Sequence, residues 1–123
     1  MREDRRRQTG LAGEAAACLY LEKDGYTIVE RNWRCRSGEI DIIAALDNAL
    51  IFVEVRTRRA GGRFGTAAES VDRRKQQQVA LIAQVYLRMR QLNYPAMRFD
   101  VIAVTMNRND DSINDIKHIK AAF

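Results

Sequence analysis

Apolar positions in this chain follow two periods, one helical and one alternating. Between Thr9 and about Asp24, Leu11, Ala15, Cys18 and Leu19, with Glu22, recur at helical spacing and Gly25 supplies a stop, which predicts a first helix. "YTIVERNWR", from Tyr26, is rich in β-branched and aromatic residues and reads as a strand. "GEIDIIAALDNALIFVEVR", Gly38 to Arg56, reads as two strands folding back around Asp47 and Asn48. A loop carrying Gly61, Gly62 and Gly65 follows. A long helix then runs from about Val71 to Gln91, its stripe formed by Val71, Val79, Ile82, Val85, Tyr86 and Met89 and interrupted by Lys75 and Gln78. Asn93 and Pro95 end it. "MRFDVIAVT" alternates as a fourth strand, and Ile113, Ile116 and Ile119, three apart, predict a short docking helix at the C-terminus. The expected order is α-β-β-β-α-β-α, an α/β fold with one layer of strands packed by helices.

The hairpin pattern also sets its register. With Asp47 and Asn48 as the turn, Ile40 faces Val55, Ile42 faces Val53 and Ala44 faces Ile51 on one apolar side. The other side pairs Ile43 with Phe52, Glu39 with Arg56, and Asp41 with Glu54. A one-residue slip would set apolar against polar along the whole ladder. Opposed side chains have Cβ atoms about 5 Å apart, where two ionised carboxylates repel by roughly 3 kcal/mol at an effective dielectric near 20. Three things would relieve Asp41 and Glu54: a shared proton, a neighbouring cation such as Arg56, or a divalent metal. Hard oxygen ligands from adjacent strands suit magnesium or manganese, which keep several waters. For Glu39 the simpler expectation is a cross-strand ion pair with Arg56.

Length and charge narrow the class. A chain of 123 residues fits one domain with a real core. Residues 1–8 read as a basic, disordered tail and 9–123 as a single domain. The net charge of +5 favours polyanionic partners, nucleic acid first. No apolar stretch approaches the length of about 20 residues that a membrane helix needs. "MREDRRRQTG" also runs into the first helix without the apolar centre of a signal peptide. A cytoplasmic location with reduced Cys18 and Cys35 is therefore expected, with no membrane partner. His118 is the only histidine, which argues against histidine-based zinc or triad chemistry.

The basic residues cluster. Arg56, Arg58, Arg59, Arg63, Arg73, Arg74 and Lys75 face only Glu69 and Asp72 across the glycine-bearing loop, and Phe64 sits among them. Glycines allow close backbone approach and an aromatic ring can stack on a base. Arg58, Arg59, Arg63, Phe64, Arg73 and Arg74 are thus candidate nucleic-acid contacts, against the alternative of a solvated, mobile connection. Lys75 interrupts an apolar stripe, so its ammonium either points to the sheet edge or reaches water past a buried stem. Asp100 shares a strand face with Arg98, and an ion pair explains it better than catalysis.

"GEIDIIA", "FVEVRTR", "FG" and "RFDVIAV" in that order, after a helical glutamate, carry a resemblance. The chain looks like the PD-(D/E)XK nuclease superfamily. More narrowly, from about Gly10 to Phe123, it is similar to the YraN-like group of small bacterial predicted endonucleases, distant relatives of Holliday junction resolvases. The resemblance implies a restriction-endonuclease-like mixed sheet flanked by helices. It implies a catalytic Mg2+ or Mn2+ held by Asp41 and Glu54, with Glu14 assisting from the first helix and DNA rather than RNA as the partner. Junction-resolving relatives add a homodimer by analogy. The residue two beyond the second acid is usually lysine, whereas here it is Arg56. Arginine stays charged and cannot be a general base, but it can stabilise charge growing on a phosphate. Lys75 is the alternative amine. The implied activity is phosphodiester cleavage, on branched or structured DNA. The alternatives are a nucleic-acid-binding protein that keeps the fold without turnover and a basic protein-interaction module.

Overall fold

A computed structural model describes residues 2–61 and 72–123. The candidate contacts Arg63 and Phe64, together with Val71, lie outside the described residues. Among the described residues two helices and five strands follow the order α1 (Arg2–Lys23), β1 (Thr27–Cys35), β2 (Gly38–Leu46), β3 (Ala49–Arg59), α2 (Arg73–Arg90), β4 (Ala96–Met106) and β5 (Ile113–Ile119). They form one mixed sheet in the order β1-β2-β3-β4-β5. Only β3 and β4 run parallel; the other neighbours are antiparallel. No helix among the described residues is long and apolar enough to cross a membrane.

The helices cover opposite faces of the sheet. On one side Ala17, Cys18 and Leu21 of α1 meet Ile42, Ala44, Ile51, Val53, Ile102 and Val104. On the other, Val79, Ile82, Ala83 and Tyr86 of α2 meet Trp33, Ile40, Ile43, Leu50 and Phe52. The α2 stripe was legible, although Met89 is exposed. The α1 stripe was legible only at Cys18, which is buried: Leu11 and Leu19 point to solvent at 50% and 61% exposure. The packed face instead runs through Gly13, Ala17 and Leu21, because α1 sits so close to β3 that a Cβ on Gly13 would lie 1.9 Å from Thr57 Oγ1. Small residues, not large apolar ones, mark that contact.

Both helices stop as left-handed caps. Gly25, at φ 91°, donates to Glu22 and Tyr26 donates to Leu21 across it, satisfying carbonyls the last turn leaves open. At the N-terminal end α1 begins at Arg2, further back than the expected start at Thr9. Asp72 caps α2 by accepting from the Lys75 amide at 2.8 Å.

One element is of the wrong type in the sequence reading. The C-terminal segment is not a docking helix but strand β5, antiparallel to β4, with Val104 opposite Ile116 and Ile102 opposite His118. The edge of β4 needs backbone partners, and the β-branched segment supplies them. At period two, Ile116 packs on the α1-side core and His118 contacts Tyr20 of α1. The three-residue spacing of isoleucines carried no helical meaning.

Candidate active site

The hairpin register is the one its pattern dictates: Ile42 pairs with Val53, Ile43 with Phe52 and Ala44 with Ile51. Beyond Ile42 the described ladder ends, so Asp41 and Glu54 are not a ladder pair. The Val55 amide instead donates to Asp41 Oδ2 at 2.8 Å. A side chain therefore takes a backbone donor that would otherwise go to the neighbouring strand. On β1 the position across from Asp41, between Arg31 (opposite Ile42) and Trp33 (opposite Ile40), is Asn32, which adopts φ 52°. Left-handed backbone at one residue resets the alternation of its strand, here β1. The alternation of β2 breaks at the same level: Ile40 joins Trp33 and Ile43 on the α2 side, while Ile42 stays on the α1 side. This corrects the expectation that Ile40 shares a face with Ile42 and Ala44. The kink lies at the candidate acid.

Asp41, Glu54 and Glu39 line one pocket of about 120 Å³ with Lys75, Val79 and Phe123. The Phe123 ring stacks on Phe99 at 5.4 Å, and Phe99 on Phe52 at 5.6 Å, so this wall is braced from the core. Burial pushes the Asp41 carboxyl up to about 6; the Val55 amide opposes this, and the charges of Glu14, Glu54 and Glu39 add to it. Glu14 has the largest influence of the three acids. It sits beside Gly13, where α1 touches β3; it does not line the pocket, but the close approach of α1 lets its charge act on Asp41.

Glu54 lies between two cations. Its Oε1 is 3.4 Å from Lys75 Nζ and 3.5 Å from Arg56 Nη2. Lys75 thus points inward to the sheet, resolving the two readings of its place in the α2 stripe. Glu39 pairs with Arg34 of β1 rather than with Arg56, because Arg56 is drawn to Glu54 on its own strand. Among the described residues Glu54 Oε2, Glu14 Oε2 and Arg56 Nε are buried without a hydrogen-bond partner.

These observations test the fit of a divalent cation. Two buried, unpartnered carboxylate oxygens and a third acid that resists ionisation are the environment a hard cation relieves. Among the described residues no three His, Cys, Asp or Glu side chains form a ready ligand cluster. The protein would therefore give one or two direct oxygens and leave the remaining positions to water, the habit of magnesium. The residues fit such an ion.

The other candidates separate. Arg58 is exposed on β3, and Arg73 and Arg74 are exposed on the first turn of α2. Arg74 shares a shallow groove with Lys75, Asp72 and Gln78. Arg59 is committed elsewhere: it donates to the carbonyls of Asn107 and Asp110, to Thr9 Oγ1 and to Asp111 Oδ1. It clamps the β4–β5 turn to α1, with its charge met by Asp111.

Sequence reasoning missed a buried cluster on the other side of the sheet. Asp100, fully buried, accepts from Arg98, from the Ala121 amide at 3.0 Å and from His118 Nε2 at 2.7 Å, while Arg98 also donates to Tyr26 at 2.6 Å. Burial would raise the Asp100 carboxyl, but His118, Arg98 and the Ala121 amide outweigh it and hold it at about 2. The pairing of Arg98 with Asp100 was legible. His118 was not, since its role depends on β5 being a strand. Cys18 and Cys35 are free, and burial pushes the Cys18 thiol up, the state of an inert core residue.

A family model described as "Uncharacterised protein family UPF0102" matches residues 13–104, a span that contains Glu14, Asp41, Glu54, Arg56 and Lys75. A UPF0102 protein of Caldanaerobacter subterraneus subsp. tengcongensis is 41% identical over 123 residues, the full length of both chains. One of Moorella thermoacetica is 47% identical over 118 residues, covering 96% of this chain and 97% of its own. One of Rhodococcus opacus is 42% identical over 114 residues, covering 93% and 94%.

Proposed function

We propose that this chain, which belongs to the UPF0102 family, is a divalent-metal-dependent phosphodiesterase of nucleic acid, acting on DNA. The observation that carries the reading is that Asp41 and Glu54, from neighbouring strands, line one pocket with Lys75. Its layout supports the restriction-endonuclease-like arrangement of the PD-(D/E)XK superfamily: an acid on β2, an acid and a cation two residues apart on β3, and a helical glutamate. A homodimer is the assembly this reading expects by analogy with junction-resolving enzymes.

Asp41 and Glu54 would hold the cation, and Glu14 would hold its waters through the carboxylate oxygen left without a protein partner. Bound there, magnesium or manganese supplies a charge that offsets negative charge on the reacting phosphate and lowers the pKa of a water. Arg56 remains a cation throughout and meets the phosphate. Lys75, whose ammonium reaches the same Glu54 oxygen, stands in for the lysine that β3 lacks, positioned to orient the attacking water. The pocket of about 120 Å³ has room for an ion with phosphate oxygens, and the contacts this reading assigns are to phosphate, which carries no sequence information. Selectivity for backbone shape rather than base sequence follows.

The test incubates labelled branched and single-stranded DNA with protein and Mg2+ or Mn2+, beside Asp41→Asn. Cleavage by the native protein alone is the expected result. Binding that survives the substitution, with no cleavage by either protein, would overturn the enzyme reading in favour of a nucleic-acid-binding protein. The permanent charge of Arg56 is the observation favouring that second reading. No binding at low salt would point instead to a protein-interaction module.

A further inference from the structure

The acidic pocket accounts for a phosphate at the reacting centre but not for the rest of a polyanion. An open groove of about 560 Å³ lies along the N-terminal half of α1, lined by Arg5, Arg6, Thr9, Gly10, Thr57 and Arg59. Among these lining residues three are arginine and none is acidic. Arg59 is held by Thr9 and Asp111 and so forms a fixed wall, while Arg5 and Arg6 are exposed. The adjoining depression, which shares Arg5 and Arg59, adds Arg108 but also Asp110 and Asp111, so its cations are largely offset by acids. The groove beside Thr57 has no acid in its lining.

Two geometric relationships connect this groove to the acidic pocket. Arg6, Gly10 and Glu14 succeed one another at four-residue steps and so lie along one stripe of α1. From Arg6 to Glu14 that stripe rises about 12 Å, or three to four steps of a duplex strand at about 3.4 Å each. On β3, Thr57 forms the groove floor two residues beyond Val55, whose amide binds Asp41; two strand residues span about 7 Å. At the centre Gly10 leaves open space, since a Cβ there would meet nothing within 4 Å. A glycine in mid-helix costs helix stability, and here it leaves the floor clear of any side chain.

We infer that this groove is a phosphate-tracking site, in which Arg5 and Arg6 hold the backbone of the nucleic acid a few nucleotide steps away from the acidic pocket. The inference rests on the proposed function for the nature of the ligand and assigns where the non-reacting part of that ligand runs. Backbone phosphates are bound by charge without sequence reading, matching a pocket whose assigned contacts are to phosphate. Because Gly10 has room above it, a side chain placed there fills the groove without disturbing the packing of α1 on the sheet.

The experiment measures binding of fluorescein-labelled duplex and branched DNA by anisotropy in EDTA across a salt series. The native full-length chain is compared with Gly10→Glu and with Arg5→Ala/Arg6→Ala. Circular dichroism melts confirm folding, and Gly10→Glu is expected to melt no lower than the native chain. Both variants are expected to bind about tenfold more weakly or worse, and the double variant to flatten the salt dependence by about two units of slope. Native-like binding by both folded variants overturns the groove, even if the protein cleaves DNA. Weakened binding without metal-dependent cleavage by the native chain leaves the groove standing and fails the phosphodiesterase reading instead. Equal affinity of the native chain for poly-glutamate overturns nucleic acid as the occupant, as does an absence of DNA binding at low salt.

Discussion

The carboxylate of Asp41 accepts the amide of Val55 at 2.8 Å, so a side chain closes the gap where the β2–β3 ladder gives way. This contact does two things at once. It spares a buried amide the cost of having no partner, and it fixes one oxygen of an acid whose ionisation is opposed by burial and by three carboxylates. A site that holds its own acid in strain is one that gains by binding a cation.

The pH dependence follows from that strain. An acid raised from the ordinary 3.8 to about 6 contributes stability that is fully present below pH 3.8 and lost as pH rises through 6. In metal-free buffer the ionised Asp41 costs about 2 kcal/mol at pH 7 and above after allowance for its partial exposure. Asp41→Asn keeps an acceptor for Val55 and removes the charge. Thermal melts in EDTA should show the variant more stable than the native chain at pH 8, with the gap closing below pH 5.

Cation binding should reverse the order. Millimolar Mn2+ or Mg2+ is expected to raise the native melting temperature at pH 8, since a ligand that binds only the folded state stabilises it, and to leave Asp41→Asn and Glu54→Gln almost unchanged. The native shift should fade below pH 6, where Asp41 takes up its proton. Equal shifts in all three proteins would assign the cation to some other place.

Lys75 and Arg56 can be told apart by initial cleavage rates. Lys75→Met should lower kcat by about 10²-fold or more, the usual cost of losing one group that stabilises developing charge. Arg56→Lys, which restores an amine at that place on β3, should retain turnover, whereas Arg56→Met should lose it. Native rates in Lys75→Met would remove Lys75 from the mechanism.

Two glycines of one helix should respond oppositely. Gly13→Ala drives a Cβ into Thr57 and is expected to destabilise by about 1–3 kcal/mol, the range for overpacking. Gly10→Ala meets nothing and should stabilise by about 0.5–1 kcal/mol through helix propensity. Urea melts of the two single variants measure both signs.

Asp100 anchors the opposite side. Asp100→Asn removes the buried charge that Arg98 and His118 both face, and breaking a buried ion pair by removing one partner costs about 3–5 kcal/mol. The native pair works in the other direction from Asp41: an acid held at about 2 stabilises above pH 3.8, and that stability is lost as pH falls through 2. Denaturant titrations at pH 7 check the loss. A variant within 1 kcal/mol of the native chain would show the cluster to be dispensable.

The hairpin was legible from its turn to Ile42 and Val53 but not at its open end, where Ile40, Asp41 and Glu39 do not pair across to β3 as expected. Its alternation admits one register, and the observed pairs from Ile42 with Val53 to Leu46 with Ala49 are those the pattern requires. Asp41, Glu54 and Lys75 stood out because each breaks an apolar pattern, and the pocket contains all three. The α1 stripe misled, because Leu11 and Leu19 are large and apolar yet exposed while the true contact is made by Gly13 and Ala17. The C-terminal strand misled for a related reason: three isoleucines at helical spacing say nothing about the unpaired edge of β4.

Side-chain period and turn chemistry are local, and they alone determined the hairpin, its register and the acids that interrupt it. Tertiary structure decided the rest: that Asn32 and Asp41 break the alternation together, that Gly13 lets Glu14 approach, that Lys75 turns inward to Glu54, and that the tail closes the sheet over Asp100. Each of these depends on two segments far apart in the chain meeting at a few ångströms, a distance that no periodicity within either segment encodes.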